Sequence, residues 1–233
     1  MQAISSMATR HVLADLATAA VVAGHPELSI ESVGGVDAAE RVAAGEPFDL
    51  VFLALGALQK LADAGHVRAD SVTPLLVSQV AVAVPASADE VGVNPNRAAF
   101  AGAAELRAAL RGAARIGYST GPSGVALVQQ IERWGLADEL GGRMVQARPG
   151  VPVAQSLALG DVDLGFQQLS ELVGQRGVRI LGVLPADCAI DTVFAGAVAT
   201  TAADPVSARE VLSYCTSSDA GVIAREHHFS PYE

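Results

Sequence analysis

Between Arg115 and Gly135 the chain reads as a short strand, a turn of small residues and a helix. Ile116 and Tyr118 follow a basic residue in an apolar run, as in a buried strand. Ser119 to Gly124 then holds two Ser, one Thr, two Gly and one Pro, the chemistry of turns and helix caps. Val125, Val128, Ile131 and Trp134 recur at helical spacing, and Gly135 is a natural stop. A helix that starts in this way offers unpaired backbone N–H groups and the positive end of its dipole, with hydroxyls beside them. That is an anion site built without a charged side chain. Ser119, Thr120, Gly121 and Ser123 are its candidate residues. The plainer reading is that Ser119 or Thr120 only caps the helix.

The same arrangement opens the chain. Ala3 and Ile4 predict a short strand, Ser5-Ser6 follow, and Met7, Val12, Leu13 and Leu16 form a helical stripe that ends near Gly24-His25-Pro26. His11 lies on this helix, as a surface or capping residue or as a ligand or base. Strand and helix patterns then alternate throughout. Strands are expected at 28–33, 48–54, 143–146 and 178–183, with helices at 36–44, 58–65, 103–110, 153–159, 170–173, 205–214 and 220–226. The polar stretch 86–97 is a loop. Two apolar runs, Leu75–Pro85 and Asp191–Thr200, are long for strands and could cross from one lobe to another. Ser78 and Gln79 interrupt the first, as residues facing a cleft or a sheet edge would. Gly160 to Gln168 reads as a turn and a strand ending in two amides. Ligands in open α/β sheets sit outside the carboxyl ends of strands, so Gln167 and Gln168 are candidates for ligand contacts. Ordinary polar residues at a strand end are the alternative.

About half of the 233 residues are apolar, 17% are charged and 4% are aromatic. That suits an α/β protein with buried Val/Ile/Leu strands, in one large domain or two lobes. The formal charge of −10 leaves no electrostatic footprint for nucleic acid or an anionic membrane surface. An anion would have to be held by local dipoles or a local basic residue, such as Arg148 in the turn Arg148-Pro149-Gly150-Val151-Pro152. Cys188 and Cys215 are too few and too far apart for a disulfide framework or metal signature, and read as small buried residues. The chain lacks GxGxxG, GxxxxGK[ST], HExxH and GxSxG motifs, and no metal or cofactor is expected; His227-His228 read as solvated. No apolar run is long enough to span a bilayer. Met1 to Arg10 lacks the features of a signal peptide. The expectation is a periplasmic protein whose signal has been removed, or otherwise a cytoplasmic one.

These residues together resemble the type 2 periplasmic solute-binding proteins, within them the molybdate-binding-protein-like group. The similarity runs through Ile4-Ser-Ser-Met with His11 to Ala17, Phe48-Asp-Leu-Val-Phe with Gln59-Lys60, Arg115-Ile-Gly-Tyr-Ser, Gln146-Ala-Arg-Pro-Gly-Val, Gly160 to Ser170 and Ser207 to Pro231. The resemblance implies two Rossmann-like α/β lobes joined by two crossing strands, with the ligand in the cleft. Lobe I would be residues 1–80 plus 198–233 and lobe II residues 81–197, closing by hinge motion near 80–84 and 193–197. In this family an oxyanion is held by hydroxyls and backbone N–H groups at helix N-termini. The family's first serine falls near Ser5 or Ser6, the second-lobe helix start at Ser119–Gly124, a later N–H donor near Val151, and a tyrosine near Gln168.

The chain departs from that pattern at two points. Leu53-Ala54-Leu55 stands where molybdate binders carry a second serine, and glutamine replaces the tyrosine. Hydroxyls and amides, with Arg148, suit a small carboxylate at least as well as molybdate. The expected function is a solute-binding protein for a small anion, delivering it to an ABC transporter permease. The group is also similar to aconitate isomerase, so the second expectation is an isomerase of small unsaturated polycarboxylic acids, shifting a double bond by proton transfer. Its base is unassigned.

Overall fold

The structure, a computed structural model, describes residues 1–86, 96–148 and 150–232. Residues 87–95 of the expected polar loop lie outside the described residues. The chain divides into two compact units, Met1–Ser78 with Val193–Glu233, and Gln79–Thr192. In chain order the elements begin with β1 (Gln2–Ser6), α1 (Arg10–Val22), β2 (Ser29–Val33), α2 (Gly35–Ala43), β3 (Leu50–Ala54), α3 (Leu55–Asp63) and β4 (Thr73–Pro85). Next come α4 (Ala103–Gly112), β5 (Ile116–Tyr118), α5 (Pro122–Arg133), α6 (Ala137–Leu140), β6 (Met144–Gln146), α7 (Val153–Ala158), β7 (Leu164–Gln168) and α8 (Leu169–Leu172). The chain finishes with β8 (Val178–Val183), β9 (Asp191–Val198), α9 (Pro205–Tyr214), α10 (Ser218–Glu226) and β10 (Ser230–Pro231).

In the first unit β1 pairs in parallel with β2 on one side and β3 on the other, and β9 runs antiparallel to β3. The apolar run of β3 follows from having both faces covered. Leu50 and Phe52 pack with Leu13, Leu16 and Leu212, whereas Val51 and Leu53 pack with Val42, Leu58 and Leu61. Helices therefore cover both sides of the sheet.

The second unit repeats the plan. β4 pairs antiparallel with β7 and with β8, and β7, β5 and β6 are parallel. Along β4 the pleat sends Val80 and Val82 to a core with Leu106, Leu110 and Leu127, and Ala81 and Ala83 to one with Val153, Leu157 and Leu172. Gln79 Nε2 donates to Asp191 Oδ1 at 3.3 Å, which ties the start of the β4 segment in this unit to the first residue of β9.

Several boundaries differ from the sequence reading. β1 continues through Ser5 and Ser6, because Ser5 pairs in register with Ser32 of β2. α3 begins at Leu55, immediately after β3, rather than at Leu58. α5 begins at Pro122, whose fixed φ and missing N–H suit a first helical position. α6 and β10 were not expected; both are too short to carry a periodicity.

Candidate functional site

In the second unit the parallel strands β5, β6 and β7 put their carboxyl ends on one side of the sheet. There each strand hands over to the start of a helix: β5 to α5, β6 to α7 and β7 to α8. The turn from β5 to α5 is tight. An ideal Cβ on Gly124 would lie 1.8 Å from the Ser119 carbonyl oxygen, so only glycine lets the first turn of α5 press against that backbone. The helix is capped by Gly121, with no side-chain cap bond. This corrects the plainer reading: neither Ser119 nor Thr120 caps the helix. The Ser119 and Ser123 hydroxyls instead pair with each other at 2.8 Å. Ser119, Thr120 and Gly121 are half-buried, and Ser123 is buried. A serine pair at a helix N-terminus can turn its hydroxyl protons toward a negative charge, beside the positive end of the dipole; Pro122 brings no N–H, and the Gly124 and Val125 N–H groups donate to the Gly121 carbonyl.

The two amides at the end of β7 divide their work. Gln167 Oε1 accepts the Val153 N–H at 2.8 Å in a buried bond, which holds the first residue of α7 against β7. The Gln167 amide oxygen is therefore committed within the protein. Gln168 is 2% exposed, and its Nε2 donates to Thr192 Oγ1 at 2.6 Å. Its Oε1 has no hydrogen-bond partner among the described residues. A buried amide with one end unpartnered is costly to leave so, by about 1–3 kcal/mol.

Val151 does not stand open. Its N–H donates to the Arg148 carbonyl at 3.0 Å and closes the turn before α7, which corrects the expectation of a free donor there. Arg148 is exposed.

In the first unit β1, β2 and β3 also end on one side of their sheet. Ser6 leads into a single 3-10 turn, Met7–Thr9, ahead of α1; Gly34 caps α2 and Ala54 caps α3. Ser5 is fully buried, and its hydroxyl pairs with Ser32 at 2.7 Å. Ser6 Oγ lies 3.4 Å from Thr9 Oγ1, and Thr9 Oγ1 donates to the Ser6 carbonyl at 3.2 Å. Ser6, at the strand end, is thus better placed for a ligand than Ser5, which is tied to β2. His11 is exposed, with Nε2 3.0 Å from an Arg10 guanidinium nitrogen.

Thr192, Glu171 and Thr9 were not singled out from the sequence. Glu171 carried a signal, as the one acid in the apolar stretch Leu169 to Val173. Burial pushes its carboxyl up to about 7. Thr192 carried none, since its role depends on Gln168, twenty-four residues earlier. Both cysteines are buried, and burial raises their thiols to about 11 at Cys188 and about 12 at Cys215, away from nucleophilic use. His227 pairs with Asp15 at 2.7 Å. Among the described residues no three metal-ligating side chains gather, and no helix is long and apolar enough to cross a membrane.

Comparison with known proteins agrees with this architecture. An aconitate isomerase from a Pseudomonas species is 33% identical over 197 residues, which is 82% of this chain and 70% of that protein. The periplasmic molybdate-binding protein of Azotobacter vinelandii superposes with a TM-score of 0.78 at 20% identity, over 100% of both chains. L-phospholactate-bound PEB3, a protein of Campylobacter jejuni, superposes with a TM-score of 0.71 at 11% identity, again over 100% of both chains. The fold is that of the type 2 periplasmic binding proteins. The family model for bacterial extracellular solute-binding protein matches residues 2–230, so the chain belongs to that family.

Proposed function

We propose that this protein captures a small anion, a carboxylate rather than molybdate, and delivers it outside the cytoplasm to an ABC transporter. The observation that carries the reading is Gln168. Its amide is buried and fixed at one end by Thr192, while the other end lacks a hydrogen-bond partner among the described residues. Because the Thr192 hydroxyl both donates and accepts, the amide can present its oxygen or its NH2. The NH2 suits a carboxylate oxygen, and the oxygen suits a ligand hydroxyl or carboxylic acid. A bare tetrahedral oxyanion and a fully ionised carboxylate both accept from the NH2, so the oxygen distinguishes only a ligand that also carries a hydroxyl or a protonated carboxyl. Ser119, Ser123 and the start of α5 would stabilise the negative charge, with Thr120 and Gly121 beside them and Arg148 offering a bidentate contact. Leu53-Ala54-Leu55 supplies no hydroxyl at the end of β3, which also weakens the case for molybdate.

The second reading is an isomerase of small unsaturated polycarboxylic acids, favoured by the 33% identity to aconitate isomerase. Such a reaction needs a base near the allylic carbon and donors for enolate-like charge.

A thermal-shift panel separates the cases. It sets molybdate, tungstate, sulfate and phosphate against cis-aconitate, trans-aconitate and citrate. A ligand at 100 times its Kd adds about 2.7 kcal/mol, a rise of about 5–10 °C for a chain of this length. The expected result is a rise with the carboxylates. A rise with molybdate or tungstate alone overturns the carboxylate reading. Migration of the double bond in the aconitate samples, followed by proton NMR, would make the protein an isomerase.

A further inference from the structure

One end of the site in the second unit donates and the other accepts. In the 2.8 Å pair of Ser119 and Ser123 one hydroxyl donates to the other, which leaves the second proton for an outside acceptor at the positive end of α5. Gln168 stands on the face of the sheet that α5 covers. It pairs in register with Val80 of β4, residues directly opposite in an antiparallel pair share a face, and Val80 packs with Leu127 of α5. It is also close along the sheet. Tyr118 pairs in register with Phe166, so the β5–α5 turn starts beside the end of β7. Adjacent strands lie about 4.8 Å apart, a distance that one small molecule spans.

What Gln168 offers there is a lone pair. Its Nε2 donates to Thr192 Oγ1 at 2.6 Å, and its Oε1 has no partner among the described residues. Gln168 and Thr192 are 2% and 7% exposed, so bulk water does not satisfy that oxygen. A carboxylate set against it brings lone pairs together with no proton between them. A protonated carboxyl supplies one, but the start of α5 favours the ionised form. An alcohol supplies one at any pH.

We infer that the ligand is a small hydroxycarboxylate, its carboxylate held at the Ser119–Ser123 end and a hydroxyl one or two carbons away donating to Gln168 Oε1. The inference rests on the anion-binding reading above and narrows it to one class of acid. Thr192 is a positioning residue, whose hydroxyl occupies Nε2 and so keeps the oxygen as the free end of the amide.

The test is calorimetry on the full chain with pairs of acids that differ by one hydroxyl, citrate against tricarballylate and the better-bound enantiomer of malate against succinate. The hydroxylated member should bind about 5- to 150-fold tighter, the worth of a buried acceptor left unpaired. The ratio should hold between pH 7 and pH 8.5. Gln168→Met removes the acceptor and should bring each ratio to within about twofold, with both acids still binding. Thr192→Val frees the amide to turn and should also shrink the ratio, whereas Thr192→Ser should keep it. Should Gln168→Met not fold, the two Thr192 variants decide. Equal affinities in the parent overturn the inference and leave the carboxylate reading standing, for the oxygen then meets only a buried water or the amide turns over. A preference that survives Gln168→Met overturns it too. So does one that appears only as the pH falls, which marks a protonated carboxyl. If none of these acids binds, the carboxylate reading falls and the inference with it.

Discussion

Gly124→Ala tests the scaffold of the β5–α5 turn directly. A Cβ added there would meet the Ser119 carbonyl oxygen at 1.8 Å, its carbonyl carbon at 2.8 Å and its nitrogen at 3.2 Å. All three are backbone atoms, so no rotamer change relieves the contact. Real Cβ contacts stay beyond 3.0 Å, so Ser119 or the first turn of α5 must move by more than 1 Å. Overpacking of this kind costs about 1–3 kcal/mol. It opposes the gain of roughly 0.5–1 kcal/mol that Gly→Ala ordinarily brings to a helix. We expect a net loss of about 1–2 kcal/mol, read as a fall of roughly 2–8 °C in Tm and a lower urea midpoint at unchanged m-value. The displaced Ser119 should also weaken anion binding. Gly121→Ala is the control. Its φ is −80°, and its Cβ would meet only the Ser119 hydroxyl oxygen, at 3.9 Å. That change should stay within about 0.5 kcal/mol of the parent. Parental stability in Gly124→Ala, or an equal loss in Gly121→Ala, would refute the close-approach argument.

Other substitutions probe the ligand and Glu171. Ser119→Ala with Thr120→Ala should weaken binding of the responding anion by roughly 1–3 kcal/mol in calorimetry, and unchanged affinity removes their hydroxyls from the site. Arg148→Ala should reduce carboxylate binding far more than binding of sulfate or molybdate; equal effects would deny it a bidentate role. Glu171 has its folded carboxyl raised from 4.5 to about 7, so its favourable contribution is complete below the unfolded value and is lost as pH rises through about 7. Between pH 4.5 and 8 the loss is at most about 3 kcal/mol. Urea unfolding at pH 5 and pH 8 should therefore show Glu171→Gln gaining on the parent by up to that amount, and a pH-independent difference would show that burial does not raise the carboxyl.

Much of the fold was legible because its signals are local. Helix 205–214 was read with the bounds that α9 adopts, since Asp204 accepts from the Val206 and Ser207 N–H groups ahead of Pro205 at the first position. Strand 178–183 was likewise read as β8 adopts it. Local rules failed where a distant partner decided. Ser5 belongs to β1 because β2 lies beside it, and β3 passes directly into α3 at Leu55, without the turn that the sequence pattern predicts. The candidate site shows the same division. The hydroxyl-rich start of α5 was visible as a motif, whereas the separate duties of Gln167 and Gln168 were not. One is occupied by Val153 and the other by Thr192, and nothing in two adjacent glutamines says which will remain partly unpaired.

The placement of β9 has a consequence for synthesis. It supplies the partner on one edge of β3, pairing Leu50 to Ala54 with Val198 back to Phe194. A ribosome delivers Val198 roughly 140 residues after Ala54, about 7–30 s later at ordinary elongation rates. For that interval the nascent first unit offers an apolar strand with an open edge, the kind of surface on which chains aggregate. The second unit, Gln79–Thr192, is continuous and emerges whole in the meantime. Vectorial synthesis thus favours completion of the inserted unit first. Slow codons before residue 198 would prolong the exposure of β3.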